Sequence, residues 1–278
     1  MRPTLPTEHD VDVDDILDLA EDALDRGDPQ SALRYCGQVL AHDPEHSGAN
    51  FLCAEAYRDL HDLDEAERRF RMALTREPEH GPTWSGLAGV LFDDLRFDEA
   101  ERAACRAIRL DPEGAEGWWW RGLLRERRGD LRGADRDLHR ASLLDPLSFP
   151  WAVSLSDAMV EAIVTSAVRT MHPSIQAYLS QVSILLEEIP DLDVVESFEP
   201  PLPPNEILGF FSGYSLDHRS TTDPWSHLPS AIVLFRRNLE RFAADRETLL
   251  EELRVTVLHE VGHYLGLDED DLEARGLD

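Results

Sequence analysis

Two histidines four residues apart, His259 and His263, with Glu260 directly after the first, carry the strongest chemical signal in the chain. On a helix, positions i and i+4 share one face, so both imidazoles project together and can hold a single Zn2+ at about 2.0–2.1 Å. In an H-E-x-x-H site the glutamate acts as general base on the metal's water and then passes the proton to the leaving amine. The spacing therefore points to zinc-dependent hydrolysis of a peptide bond, with His259 and His263 as metal ligands and Glu260 as the catalytic group.

The helix that must present them reads from 245 to 265, with Leu249, Leu250, Leu253, Val257, Leu258 and Val261 along it. Gly266 can take a left-handed conformation there and reverse the chain, so that a residue a few positions later approaches the metal. Carboxylate is an acceptable third zinc ligand. Glu269 is the leading choice by spacing, Asp268 and Asp270 are alternatives, and Glu273 is a more distant one.

Upstream, a helical pattern covers 155–171, opened by Ser156 or Asp157, and strands are expected at 182–189, 207–214 and 231–236. A stiff Pro-rich loop, 199–204, and a polar loop, 215–230, separate them. Tyr214, His218 and Arg219, with Tyr264 on the motif helix, are the candidate contacts to a substrate or transition state.

The first half repeats. Asp43-Pro44, Glu77-Pro78, Asp111-Pro112 and Asp145-Pro146 stand 34 residues apart. In the same phase run Ala20, Ala54, Ala88 and Gly122, then Ala32, Ala66, Ala100 and Ala134, then Val39, Ala73, Ala107 and Ala141. Small residues there let two helices approach, and the Pro ends the second of them. The Trp118-Trp119-Trp120 run cannot be all core, because neighbours about 100° apart point in different directions.

This half resembles the tetratricopeptide repeat (TPR) family, with copies at 11–44, 45–78, 79–112 and 113–146. Trp84 and Trp118 fall where that family's pattern has Trp, and Gly27 and Gly129 at the turn between paired helices. The resemblance implies an all-α superhelical array with a concave groove for a protein or peptide ligand. It places Leu17, Phe51, Phe92 and Trp119 on the inner face, with Arg58 and Arg127 nearby; the alternative is that these side chains pack on the second domain or another repeat. Relatives that clamp the C-terminal carboxylate of chaperones do so with Lys and Asn. This chain has no Lys, so that partner is not expected.

From about Met159 onward the chain resembles the small bacterial zincin-like metallopeptidases, whose domain is a minimal, metzincin-like one. The likeness rests on Leu208-Gly209-Phe-Phe-Ser-Gly213-Tyr214, Leu228-Pro229-Ser-Ala-Ile232-Val-Leu-Phe-Arg236 and Val257-Leu258-His-Glu-Val-Gly-His263-Tyr-Leu-Gly266-Leu-Asp. It implies a compact α+β domain, an acidic residue in place of a third His, and a strand at 231–236 that pairs with an extended substrate. No Met follows Met171, so there is no Met-turn, and only nine residues follow Glu269.

The expected architecture is thus an all-α array followed by a small α+β domain. A disordered tail covers 1–10, a linker or capping segment 147–156, and the catalytic domain 157–278. The competing reading is a non-catalytic interaction scaffold whose zincin-like domain binds zinc without turnover.

The 278 residues carry 56 acidic side chains against 27 Arg, a net charge of -29. Such a surface repels phosphate backbones, which excludes nucleic acid and anionic membrane as partners. The excess is even: 33 acidic and 19 Arg up to residue 150, 23 and 8 after it. The first residues lack the apolar core of a signal peptide, and no apolar stretch approaches ~18 residues, so a cytoplasmic protein is expected. Cys36, Cys53 and Cys105 form no C-x-x-C pair and read as buried free thiols.

Overall fold

The computed structural model describes residues 12–170, 173, 176, 182–198, 202–212, 231–242 and 245–267. The expected tail at 1–10 and the polar loop at 215–230 lie outside the described residues. The chain divides into two compact units, Met1–Phe149 and Pro150–Asp278.

The first unit is a stack of antiparallel helix pairs. The pairs are α1 (Val13–Asp25) with α2 (Pro29–His42), α3 (Ser47–Asp59) with α4 (Leu63–Arg76), α5 (Gly81–Asp93) with α6 (Phe97–Leu110), and α7 (Ala115–Arg127) with α8 (Leu131–Leu144). Each second helix packs on the first helix of the next pair, and successive first helices also meet. The inner face is therefore made by first helices and the outer face by second helices.

The phased small residues do the work that their size suggests. Ala20, Ala54, Ala88, Ala32, Ala66, Ala100 and Ala134 are all fully buried at helix crossings. At Gly122 even an alanine is too large, since a Cβ would lie 2.7 Å from Leu138. After the first three of these prolines the next helix is tied back by one side chain: Asn50, Trp84 and Trp118 donate to the carbonyls of Pro44, Pro78 and Pro112 at 3.1, 2.9 and 3.0 Å.

The turn inside each pair is left-handed at one residue. Gly27 and Gly129 have φ of +69° and +77°, and in the middle pairs the same place is held by His61 and Leu95 at +57° and +58°. Two of four repeats thus hold a side-chain-bearing residue where glycine is cheapest. Cys36 and Cys53 are buried free thiols; Cys105, expected with them, is only half-buried because it lies on the outer side of α6.

The second unit contains α9 (Asp157–Thr170), β1 (Ser183–Glu187), α10 (Leu192–Val195), β2 (Gly209–Ser212), β3 (Ala231–Phe235), α11 (Arg236–Phe242) and α12 (Arg246–Tyr264). The strands form one sheet in the order β1-β3-β2, with β3 parallel to β1 and antiparallel to β2. This corrects one expectation. The 231–236 segment does not offer an edge to an extended substrate, because β3 is central and both of its edges are already paired. Its residues Ile232 to Phe235 are buried, as a central strand requires.

α12 crosses the sheet, burying Leu249, Leu253, Val257, Val261 and Tyr264 against α9, β2 and β3. Its start is set by Asp245, whose carboxylate accepts from the Thr248 amide at 2.9 Å. Asn238 on α11 donates to the carbonyls of Pro204 and Ile207 at 2.9 and 2.7 Å, fixing the segment that leads into β2. Among the described residues no helix is long and apolar enough to cross a membrane.

Candidate metal centre

The last two turns of α12 bring His259 and His263 together: their Nε2 atoms are 3.0 Å apart, with the rings nearly perpendicular at 79°. The chain reversal at the end of α12 orients the second ring. Gly266 adopts φ +87°, its amide bonds the His263 carbonyl, and the Leu267 amide bonds the Gly262 carbonyl, both at 3.0 Å. This left-handed helix stop turns the Leu267 carbonyl back to His263 Nδ1, 3.2 Å away. A carbonyl only accepts, so Nδ1 carries the hydrogen and Nε2 is left with its lone pair, as a metal ligand needs.

The pair fits zinc. Two nitrogens each about 2.05 Å from one ion at the tetrahedral angle stand about 3.3 Å apart. The 3.0 Å separation is close to that, and imidazole nitrogen is a donor that suits zinc. Among the described residues no group of three or more His, Cys, Asp or Glu gathers. The third-ligand candidates Glu269, Asp268, Asp270 and Glu273 lie outside the described residues, as do Tyr214, His218 and Arg219.

Glu260 is 6% exposed and faces β2. A Cβ on Gly209 would stand 3.3 Å from its carboxylate oxygen and 2.8 Å from Thr256, so the glycine is what allows strand and helix to approach. Two residues on, Phe211 packs at a tilt against the fully buried Tyr264, 5.7 Å between ring centres. Tyr264 therefore belongs to the wall behind the imidazoles, on the side of the helix that meets the sheet. Sequence reasoning singled out Gly209 only as part of a resemblance. The signal for its role was a glycine inside a continuous apolar strand run, Ile207 to Phe211, which marks close backbone approach.

The groove candidates of the first unit are in different situations. Phe51 is half-buried, against Phe70 and edge-on to His80, and lines a small cavity of about 230 Å3 with Glu21 and Thr83. Trp119 is half-buried on Phe149. Phe92 is 2% exposed and closed over by Phe97 and Trp120, so it forms core and not groove surface. Arg127 lies over the Phe97 ring.

Arg58 bridges the inner face, 2.6 Å from Glu55 and 3.0 Å from Glu116 on α7. Burial opposes its charge, but the two carboxylates outweigh burial and hold the guanidinium above its ordinary range. Burial pushes the Glu55 carboxyl up to about 7, against the pull of Arg58 and with Glu116 adding to the rise.

A family model described as zincin-like metallopeptidase matches residues 179–277. Tetratricopeptide repeat models match 23–73, 54–106 and 85–135. No curated protein matches the chain. Among solved structures it is similar to MamA from Desulfovibrio magneticus RS-1, at 22% identity and TM-score 0.41 over 48% of this chain and 76% of that one. It is similar also to pilF of Pseudomonas aeruginosa, at 21% and 0.44 over 48% and 61%, and to a thermophilic TPR protein of Thermus thermophilus, at 18% and 0.44 over 61% and 96%.

Proposed function

We propose that this chain, which joins tetratricopeptide repeats to a zincin-like metallopeptidase domain, is a zinc-dependent peptidase whose repeats recruit its protein substrate. The observation that carries the reading is the His259–His263 pair, with Nε2 atoms 3.0 Å apart and one ring held in the ligand tautomer by a backbone carbonyl. His259 and His263 would hold the ion, with Glu269, or Asp268 or Asp270, as the third protein ligand. When bound, zinc supplies Lewis acidity toward a peptide carbonyl and makes a water acidic near neutral pH.

The chain's own residues do the rest. Glu260 takes a proton from the attacking water at its carboxylate and returns it to the departing amine nitrogen. Tyr214, His218 and Arg219 are the candidate donors to the developing oxyanion. The array raises the local concentration of a docked substrate, so a peptide that lacks the docked segment is cut poorly.

The test is metal content and proteolysis of the wild type beside Glu260→Gln. Wild type purified from zinc-supplemented medium is expected to hold one zinc and to cleave, and Glu260→Gln to hold zinc without cleaving. A wild type without zinc ends the proposal. The burial of Glu260, 6% exposed, favours a second reading, a scaffold with zinc but no turnover. Zinc retained with no cleavage of a broad peptide library or of bound partners selects that one.

A further inference from the structure

The repeats can be compared with one another on their outer face, where each first helix shows through the gap between two second helices. Three equivalent positions, each 34 residues after the last, decide what fills these gaps: Arg69 on α4, Ala103 on α6 and Asp137 on α8. Arg69 fills its gap, reaching Glu65 at 2.9 Å and Asn50 on α3 at 3.1 Å. Asp137 fills the last one, taking two bonds from Arg121 at 2.7 and 2.9 Å and a third contact from Arg125 at 2.8 Å. Ala103 reaches nothing comparable. On the first helix below it, Arg121 and Arg125 of the last repeat correspond to Leu87 and Leu91.

The consequence is a cavity of about 890 Å3 between α4 and α6, floored by Leu74, Trp84, Leu87, Leu91 and Ala103. Its rim is cationic. Glu99 and Glu101 lie on it, but each is already neutralised, by Arg96 at 2.9 Å and by Arg128 at 2.5 Å. Arg102, Arg106 and Arg109 also line it, and among the described residues none of the three sits in an ion pair. In a chain of net charge -29, three arginines outside any ion pair gather around one apolar floor. Pockets of roughly 300–1,000 Å3 accommodate a bulky anchor with its neighbours, and arginines at a rim select acidic flanks.

We propose that this outer cavity is a docking site for a segment of another protein in which a bulky apolar side chain is flanked by Asp or Glu. The apolar anchor packs on Leu74, Trp84 and Leu91, and the flanking carboxylates meet Arg102, Arg106 and Arg109 with paired hydrogen bonds. The site is separate from the inner groove and independent of hydrolysis, so it stands or falls apart from the peptidase reading.

The experiment titrates the full chain into a fluorescein-labelled decapeptide with one Phe between runs of Asp and Glu, read by anisotropy. The acidic peptide is expected to bind saturably at low salt, more weakly as salt rises, and better than an Arg-flanked or Phe-less counterpart. Arg102→Glu with Arg106→Glu, on side chains that reach solvent, is expected to weaken it about tenfold or more with helix content unchanged. Ala103→Arg, which rebuilds the Arg69–Glu65 arrangement with Glu99, is expected to abolish binding by filling the cavity. No saturable binding at low salt, equal binding of the Arg-flanked peptide, or indifference to the double charge reversal overturns the proposal. So does a wild-type dimer in sedimentation that the same reversal dissolves, since the occupant is then a second copy of this chain.

Discussion

Gly209 on β2 and Glu260 on α12 face each other so closely that a single added carbon would intrude. A Cβ there would stand 3.3 Å from the carboxylate oxygen and 2.8 Å from Thr256 Cγ2. Gly209→Ala is therefore expected to destabilise the second unit by about 1–3 kcal/mol, the range for overpacking. Because Glu260 must give way, cleavage should fall more than zinc content does. Thr256→Ser in the same chain removes the methyl while keeping the hydroxyl that donates to the Glu252 carbonyl at 2.8 Å, and should restore part of the loss. Denaturant midpoints of the two single variants and the double one measure the coupling; strictly additive values would show that no clash exists.

Gly266 orients His263, the proposed ligand, indirectly. Its φ of +87° is what returns the Leu267 carbonyl to His263 Nδ1. Gly266→Ala should strain the backbone by about 1 kcal/mol or more and misplace that acceptor. Loss of an outer-shell partner commonly weakens metal binding by about 10–100-fold. Competition against a chromophoric zinc chelator reads this directly. An unchanged affinity in a folded Gly266→Ala protein would show that His263 is oriented without the carbonyl.

The repeats and the histidine pair were legible because both are written in local spacing. Thirty-four-residue phasing repeats one packing problem, and an i, i+4 pair must share a helical face. The place of β3 in the sheet was not, since strand order depends on pairing between segments far apart in the chain. Its apolar run fits a central strand and a half-covered edge strand alike. Phe92 shows the same limit: its helical phase points inward as a groove residue does, but Phe97 and Trp120 close over it. The outer cavity was hidden for another reason. It exists because a residue is small at one repeat and large at its equivalents, which becomes informative only when the neighbours' ion pairs are seen.

The left-handed turns allow the backbone cost to be isolated. An added Cβ at Gly27 or Gly129 would have nothing within 4 Å, so Gly27→Ala and Gly129→Ala meet only the penalty of φ near +70°. Each should lose about 1 kcal/mol. In the reverse direction His61, exposed at φ +57°, should gain about 0.5–1 kcal/mol on His61→Gly. Leu95→Gly relieves the same strain but gives up a half-buried leucine, so its net change should be near zero or unfavourable. Thermal or urea unfolding of the four variants checks the order, and a destabilised His61→Gly would contradict it.

Glu55 makes a pH prediction with a definite sign. Burial raises its carboxyl in the folded protein to about 7, from 4.5 as the unfolded reference, with Arg58 pulling the other way and Glu116 and Asp59 adding to the rise. Below pH 4.5 both states are protonated and the group contributes nothing to stability. As pH rises from 4.5 to 7, the unfolded chain ionises first, so stability falls; above 7 both are ionised and the loss levels off. The full difference corresponds to about 3 kcal/mol, with the side chain 18% exposed. Glu55→Gln keeps the shape without the titration. Its stability relative to wild type should therefore rise by about 2 kcal/mol between pH 5 and pH 8, read from urea midpoints at both values. Parallel wild-type and Glu55→Gln profiles across that window would mean that Arg58 holds Glu55 ionised throughout. The Arg58 bridge between Glu55 and Glu116 would then be a fully charged pair of contacts, with no proton shared across the inner face.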